Sequence, residues 1–315
     1  MRPGTSGCIL CIPSLAATRI NDYICSIYGG MNASNAMDEA KIDASIVTYH
    51  TADDELRTCL DALLASPCIR IVHIIDNSSD SATEKLAAQY APRVTYTPHP
   101  NTGYGDAHNV ALRRTLDTGT PYHLVINSDV YFTAGTLERC LAYMDAHPEA
   151  GQLIPHTIFP DGHEQHVCHP LPTPLDMLMR GFLPQRWLAS RRRRYDLIDR
   201  DPAQVINPPY HHGCFMLLRT EALRTAGLFD PRYFMYPEDI DLTRRLHRHC
   251  RTVYYPEATI VHAHRAESKT SWRMRKIHII NMLKYFYKWG FWFDAERRKF
   301  NSQLKREIRE QKNTK

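Results

Sequence analysis

Between residues 45 and 146 the chain alternates short apolar runs with segments of helical periodicity, and this constrains the fold more than any other feature. Ser45–Tyr49, Ile69–Ile75, Val94–Thr97 and His123–Ile126 read as strands, because each is a short apolar run bounded by turn residues. The intervening pattern predicts helices over Asp53–Ala65, Ala82–Tyr90, Asp106–Thr115 and Thr136–Ala146, the first with Leu56, Leu60, Leu63 and Leu64 on one face. Strands alternating with helices imply an α/β domain with a mainly parallel sheet and helices on both faces. Ligands bind such sheets beyond the carboxyl ends of the strands. Asp76 and Asp129 both fall there, in the turns Asp76-Asn77-Ser78-Ser79-Asp80 and Asn127-Ser128-Asp129.

The flanks look different. Residues 1–40 are poorly patterned, with clusters of Gly, Ser and Asn. Residues 155–210 are rich in Pro and His and predict long loops with a short helix near Leu175–Phe182. Further on, strands are expected at Phe215–Arg219, Thr252–Tyr255 and Thr259–Val261, and helices at Glu221–Ala226 and Ile240–His247. Trp272–Phe293 predicts a long amphipathic helix followed by a charged tail. The net charge of +5 is gathered largely in Arg191–Arg194 and in residues 273–315, which favours anionic phosphates or lipids and carries no nucleic-acid motif. Nine cysteines without paired spacing imply reduced thiols and a cytoplasmic setting. No window holds the roughly 18 apolar residues of a membrane span. Pro13 interrupts the apolar stretch around Ile9–Ile12, so no signal peptide is expected.

Three constellations carry chemistry. Asn127-Ser128-Asp129 follows the apolar run Leu124-Val125-Ile126, where a carboxylate can reach a Mg²⁺ or Mn²⁺ held by a diphosphate. A turn aspartate that caps the next helix would look the same. Glu238-Asp239-Ile240-Asp241 puts three carboxylates in four positions. A clustered carboxylate has the raised pKa that suits a general base, although an acidic first helical turn is also favoured by the helix dipole. Asp241 fits that second role, with Arg244 or Arg245 as partner. His262 and His264 share one face at the end of a strand, where a neutral imidazole can complete a metal site. His163-Glu164-Gln165-His166 lacks the spacing of a zinc-protease motif, and Gly103-Tyr104-Gly105 lacks the third glycine of a dinucleotide fingerprint.

In this order the motifs resemble those of the family 2 glycosyltransferases, especially a bacterial rhamnosyltransferase-like branch, over roughly residues 43–290. Ile46-Val47-Thr48-Tyr49-His50 is similar to the family's opening strand, where Asn more often stands at position 50. The Asp76 turn resembles the base-binding turn, and Asn101-Thr102-Gly103-Tyr104-Gly105 through His108-Asn109 the Gly-rich nucleotide loop. Asn127-Ser128-Asp129 stands in the place of the DxD metal motif, with Asn for the first Asp. His212-Gly213-Cys214 resembles the acceptor-side glycine motif, and Glu238-Asp239 the ED motif. The resemblance implies a GT-A-type catalytic domain over residues 41–271, with residues 272–315 as a helical extension. It implies an inverting, metal-dependent transfer of rhamnose or another hexose from a nucleotide-diphosphate donor to a glycan or lipid-linked glycan acceptor. Asp239 would be the base, supported by Glu238. Asp129 and His262 would bind the metal. Thr48, Tyr49, Asp76, Gly103, Asn109 and Ser128 would line the nucleotide pocket. A lipid-linked acceptor makes peripheral contact with the inner face of the cell membrane an expectation for the aromatic and basic C-terminal helix. The alternatives are an inactive sugar-nucleotide binder and a nucleotidyltransferase on a related sheet.

Overall fold

The computed structural model describes residues 40–176, 185–263 and 272–313. Their strands are β1 (Ile42–Thr48), β2 (Ile69–Asp76), β3 (Val94–Pro98), β4 (Tyr122–Ile126), β5 (Val130–Tyr131), β6 (Ala150–Ile158), β7 (Cys168–His169), β8 (Tyr210–His211), β9 (Phe215–Arg219) and β10 (Arg251–His262). The helices are α1 (Asp53–Leu64), α2 (Ser81–Ala88), α3 (Tyr104–Thr118), α4 (Thr136–Ala146), α5 (Gln185–Tyr195), α6 (Thr220–Ala226), α7 (Glu238–Leu246), α8 (Trp272–Trp289) and α9 (Ala295–Asn313). Eight strands form one sheet in the order β3-β2-β1-β4-β9-β6-β10-β5, and β7 pairs with β8 apart from it. β1 runs parallel to both neighbours, β2 and β4, so the chain's winding reverses at β1 and opens a crevice beyond the ends of β1 and β4.

β1 is apolar on one face and polar on the other, yet buried on both. Ile42, Ala44 and Ile46 join Leu56, Leu60 and Leu63 of α1 in the main core. On the opposite face Asp43 is fully buried and takes a two-pronged bond from Arg70, at 2.8 and 2.7 Å. Ser45 lies between two buried imidazoles, 2.7 Å from His108 Nδ1 and 2.8 Å from His123 Nε2. A sheet covered by helices on both faces permits Asp43 and Ser45 there because each is paired.

The buried histidines predict acid sensitivity. Burial lowers His108 to about 3 and His73 to about 4, and pushes His123 well below its ordinary value. It also lowers His211 to about 3 and His247 to about 4. The native state keeps these rings neutral, whereas the unfolded chain protonates them below about pH 6.5. Their stabilising effect is therefore complete above pH 6.5 and is lost as pH falls toward 4. Each costs about 1.4 kcal/mol one unit below the unfolded pKa. Buried Glu238 and Asp239 have raised pKa values and act in the opposite sense, but they are fewer. The urea midpoint should fall steadily between pH 7 and 5. A flat profile across that interval would refute this account of the core.

The second half departs from the sequence pattern in several places, among them the helix α5 in a stretch expected as loop. β6 is a nine-residue strand where only loop was expected from residue 155 on. β10 is one strand of 12 residues whose register against β6 shifts between Tyr255 and Thr259, which makes it read as two. The charged tail is a 19-residue helix, α9, anchored by Phe300 and Leu304. Of the helix expected near Leu175–Phe182 the described residues show only the start, helical over 174–176, while residues 177–184 and nearly all of the N-terminal extension lie outside the described residues.

α8 and α9 are tied to α7 by buried charge. Arg244 binds Asp294 through two bonds of 2.8 and 2.7 Å and Glu296 through a third of 2.8 Å, and its guanidinium lies 4.1 Å from the Trp289 ring centre. Asp241, fully buried, accepts from Arg245, Lys288 and Trp289 at 2.8, 2.6 and 2.8 Å. Of the two partners expected for Asp241, Arg245 is the one it has, because Arg244 turns to Asp294.

Candidate active site

The crevice at the ends of β1 and β4 holds a cleft of about 220 Å³, lined by Tyr49, His50, Thr51, Glu55, Tyr104 and Asn127-Ser128-Asp129 together with Val47. Tyr49 is 57% exposed and is one of the residues that line this space. His50 has φ 49°, in the left-handed region that Asn tolerates better than most residues. That is a backbone reason for the Asn more common at this place in the resembled family.

Three residues expected to meet the nucleotide have other occupations. Asp76 is fully buried and accepts from Thr48 Oγ1, the Ser78 backbone and hydroxyl, the Asp80 backbone and Tyr96. Burial would raise its pKa, but these bonds outweigh it and hold the carboxyl below its usual range. Five donors fill the roughly four lone-pair sites of a carboxylate, so Asp76 holds the 76–80 turn. Thr48 spends its hydroxyl on that task. Asn109 is a correction. It is buried inside α3, and its amide clasps the Phe229 backbone at 2.9 and 3.0 Å, so it bolts α3 to the 229 segment and does not line the cleft.

Ser128 donates to Glu55 Oε1 at 2.6 Å. Asp129 follows, and its Oδ1 lies 3.3 Å from His262 Nε2 at the end of β10. β5 makes this meeting possible, because its antiparallel pairing sets His262 opposite Val130. The other ring nitrogen, Nδ1, donates to Gln165 Oε1 at 2.8 Å and fixes the ring's orientation. Burial would lower the His262 pKa, but Cys214 and Asp129 raise it to about 10. His264 lies outside the described residues.

Glu238 and Asp239 open α7 and are both buried. Asp239 accepts from Gly213 N at 3.0 Å and from Ile240 N at 2.7 Å. Burial raises its pKa to about 7, with those backbone donors working against the shift. Burial and then the neighbouring Asp239 push Glu238 far above the carboxylate range, and its Oε2 has no hydrogen-bond partner. The pair thus divides into a carboxylate that ionises near neutrality and a neighbour that keeps its proton. A Cβ at Gly213 would come 3.3 Å from Asp239 Cβ and 3.6 Å from the Tyr104 ring, so glycine leaves room for all three.

Tyr104 joins the two halves of the site, and sequence reasoning missed its role. Its hydroxyl lies 2.9 Å from Asn127 Oδ1 and 2.8 Å from Gly213 O. Burial, then Glu238, Cys214, Asp239 and Asp129 in turn, push its pKa well up, so it remains a neutral donor. Gly103 before it has φ 125°, and a Cβ there would stand 2.5 Å from Phe234 O. An aromatic between two glycines was the available signal. Glu55 and Gln165 were missed too, since one looks like a helix-dipole acid and the other like a loop residue.

The family described as Glycosyl transferase family 2 matches residues 44–227. The N-acetylglucosaminyl-diphospho-decaprenol L-rhamnosyltransferase of Mycobacterium tuberculosis (strain ATCC 25618 / H37Rv) is 31% identical over 238 residues, covering 70% of this chain and 75% of that protein. Among solved structures, GalNAc-T7 with UDP, GalNAc and Mn²⁺ is similar with a TM-score of 0.52 and 10% identity, over 70% of this chain and 43% of that one. The mannosyltransferase PcManGT from Pyrobaculum calidifontis, in complex with GDP-Man and Mn²⁺, gives 0.51 and 16%, over 79% and 65%. These likenesses bear on the fold, which is of the GT-A type.

Proposed function

Because the chain belongs to glycosyl transferase family 2, and is therefore a glycosyltransferase, we propose that it transfers L-rhamnose, with inversion, from a nucleotide-diphosphate donor to a hydroxyl of a lipid-linked N-acetylglucosamine. The substrates follow the name of the mycobacterial relative. The observation that carries the reading is the Tyr104 junction, which sets the Asp129 triplet and the Asp239 carboxylate on either side of one phenol. A transferase needs its diphosphate site and its base that close.

The residues fit a divalent cation provided that binding displaces the proton that Cys214 and Asp129 hold on His262, as metal binding to imidazole does. Asp129 and His262 already face each other across 3.3 Å, and Gln165 orients the imidazole from behind, as outer partners of metal-bound histidines do. Among the described residues no group of three His, Cys, Asp or Glu could hold a metal, so the donor diphosphate would complete the ligand set. When bound, Mg²⁺ or Mn²⁺ neutralises the diphosphate leaving group. Tyr49, Ser128 and the backbone at Gly103 line the nucleotide side. Asp239 takes the proton of the acceptor hydroxyl as that oxygen bonds to the anomeric carbon, and the bond from this carbon to the diphosphate oxygen breaks. Glu238, kept protonated, leaves a single negative charge at the base. Incubation with dTDP-rhamnose, Mn²⁺ and a polyprenyl diphosphate-linked N-acetylglucosamine should give the disaccharide lipid. Turnover with UDP-hexoses alone would reassign the donor, and turnover with no nucleotide sugar would end the proposal.

The same proposal sets α8 against an anionic membrane. No described helix is long and apolar enough to cross a bilayer. One side of α8, with Met282, Tyr285 and Phe286, packs inward. The outward side exposes Trp272, Ile279, Ile280, Leu283 and Tyr287, and Trp292 and Phe293 follow, with Trp272 74%, Tyr287 86% and Phe293 89% exposed. Arg273, Arg275, Lys276 and Lys284 are exposed among them, and residues 272–293 contain no Asp or Glu. Rings at headgroup depth with cations toward anionic lipid suit a membrane surface, at about 1 kcal/mol per cation. The protein should sediment with phosphatidylserine vesicles at low salt and largely release at high salt. If it stays in the supernatant at low salt, the membrane role is wrong.

A further inference from the structure

We infer that α8 is also a positioning element for the reaction, with His278 and Asn281 holding the Met235–Tyr236 peptide from which Glu238 and Asp239 follow. The inference rests on Asp239 acting as the base. The segment before α7 has no regular structure of its own and is gripped from two sides. On the donor side Tyr104 N donates to Phe234 O at 2.9 Å, and the close approach at Gly103 leaves that contact no slack. On the far side Lys284 Nζ donates to Arg232 O at 2.8 Å and Asn281 Nδ2 to Met235 O at 3.1 Å. Consecutive carbonyls, 234 and 235, are thus pinned to two different helices.

Tyr236 comes next, with φ 95°. A bulky residue in that region is strained and persists only where its surroundings hold it. His278 of α8 supplies such a hold, its ring stacking on Tyr236 with centroids 4.6 Å apart and planes 23° from parallel. Pro237 then leads into Glu238, the first residue of α7. Two residues past Asp239, Asp241 is fixed to α8 again through Lys288 and Trp289. The catalytic carboxylates therefore lie on a short stretch of chain clamped to α8 before and after. Asn281 is a buried amide in a helix whose other inward residues, Met282, Tyr285 and Phe286, are aromatic or apolar. Packing alone would be served by an apolar side chain there, and the amide's donor goes to the one carbonyl that precedes the strained residue.

Neither His278 nor Asn281 lines the donor cleft. Loss of their contacts should misplace Asp239 and spare the nucleotide. His278→Ala should lower kcat by about 10–100-fold with donor KM unchanged, and His278→Phe, which restores a flat ring to stack on Tyr236, should recover most of it. Asn281→Leu, which keeps the volume and removes the donor, should repeat the kcat loss and serves if His278→Ala does not fold. Asp239→Asn is assayed in parallel. If Asp239→Asn is inactive while folded His278→Ala or Asn281→Leu turns over like the wild type, the positioning role is refuted. A kcat loss that His278→Phe does not recover, or one matched by an equal rise in donor KM, refutes it as well. Wild-type turnover by Asp239→Asn would instead remove the base assignment, a separate result.

Discussion

Asp239→Asn should lower glycosyl transfer by about 10²–10⁴-fold while the affinity for the nucleotide diphosphate stays within a factor of two or so of wild type. The amide keeps the shape of the carboxyl, but only one of the two backbone donors, Gly213 N and Ile240 N, keeps an oxygen acceptor, so the fold of the variant is checked beside its rate. What it loses is the ability to take a proton. In the wild-type protein burial raises Asp239 to about 7, and the base is competent only when ionised. The rate should therefore fall as pH drops below about 7, one power of ten per unit well below it, and this limb should vanish from the residual activity of the variant. Steady-state rates across pH 5.5–8.5, with folding checked by circular dichroism, make the comparison. Turnover near wild type in a folded Asp239→Asn would take Asp239 out of the reaction.

Asp129→Ala should act on the other half of the site. It removes the carboxylate of the proposed metal pair and takes Asp129 from among the partners of His262. We expect the Mn²⁺-dependent affinity for a nucleoside diphosphate to fall by about 10²-fold or more. Gln165→Leu, which touches only the far nitrogen of His262, should cost nearer tenfold, in the range seen for outer partners of metal ligands. Isothermal titration with nucleoside diphosphate, with and without Mn²⁺, gives both numbers. Metal-free binding should be nearly unchanged in each variant. Equal affinities for wild type and Asp129→Ala in Mn²⁺ would move the metal elsewhere.

How far these residues were legible in the sequence depends on what their roles require. The strands of the first half stood out because β1, β2 and β4 are buried on both faces and must be apolar or internally paired. β6 did not, since Gln152, Pro155, His156 and Thr157 break its apolar run while still lying in the sheet. α9 was hidden by charge, for its apolar stripe is only Phe300, Leu304 and Ile308. Within the proposed site, Asp129 and Asp239 stood out as candidates from their place after a strand and within an acidic cluster. Their pairing was not, because it runs through Tyr104 and Gly213, 109 residues apart. Asn109 misled for the same reason. A polar residue beside a glycine-rich loop looks like a ligand contact until the fold brings Phe229 against it.

The C-terminal helix gives the sharpest case. Its aromatic residues looked like one surface, yet Phe286 is buried, and Trp289 lies against Arg244 and donates to Asp241. Only the remaining stripe faces outward. A period-3.6 pattern in which both faces are apolar cannot say which one packs, and here the buried partners on α7 decide it.

The central claim is a single displacement, with Asp239 taking the acceptor proton and no covalent sugar–protein intermediate. The anomeric configuration of the first-formed product, read by proton NMR on the transferred sugar against the configuration of the donor, tests this most directly. The roles proposed for Asp239 and Asp129 predict complete inversion. A product that retains the donor configuration would require a second displacement or a front-face departure, and would contradict the roles given to Asp239 and Asp129.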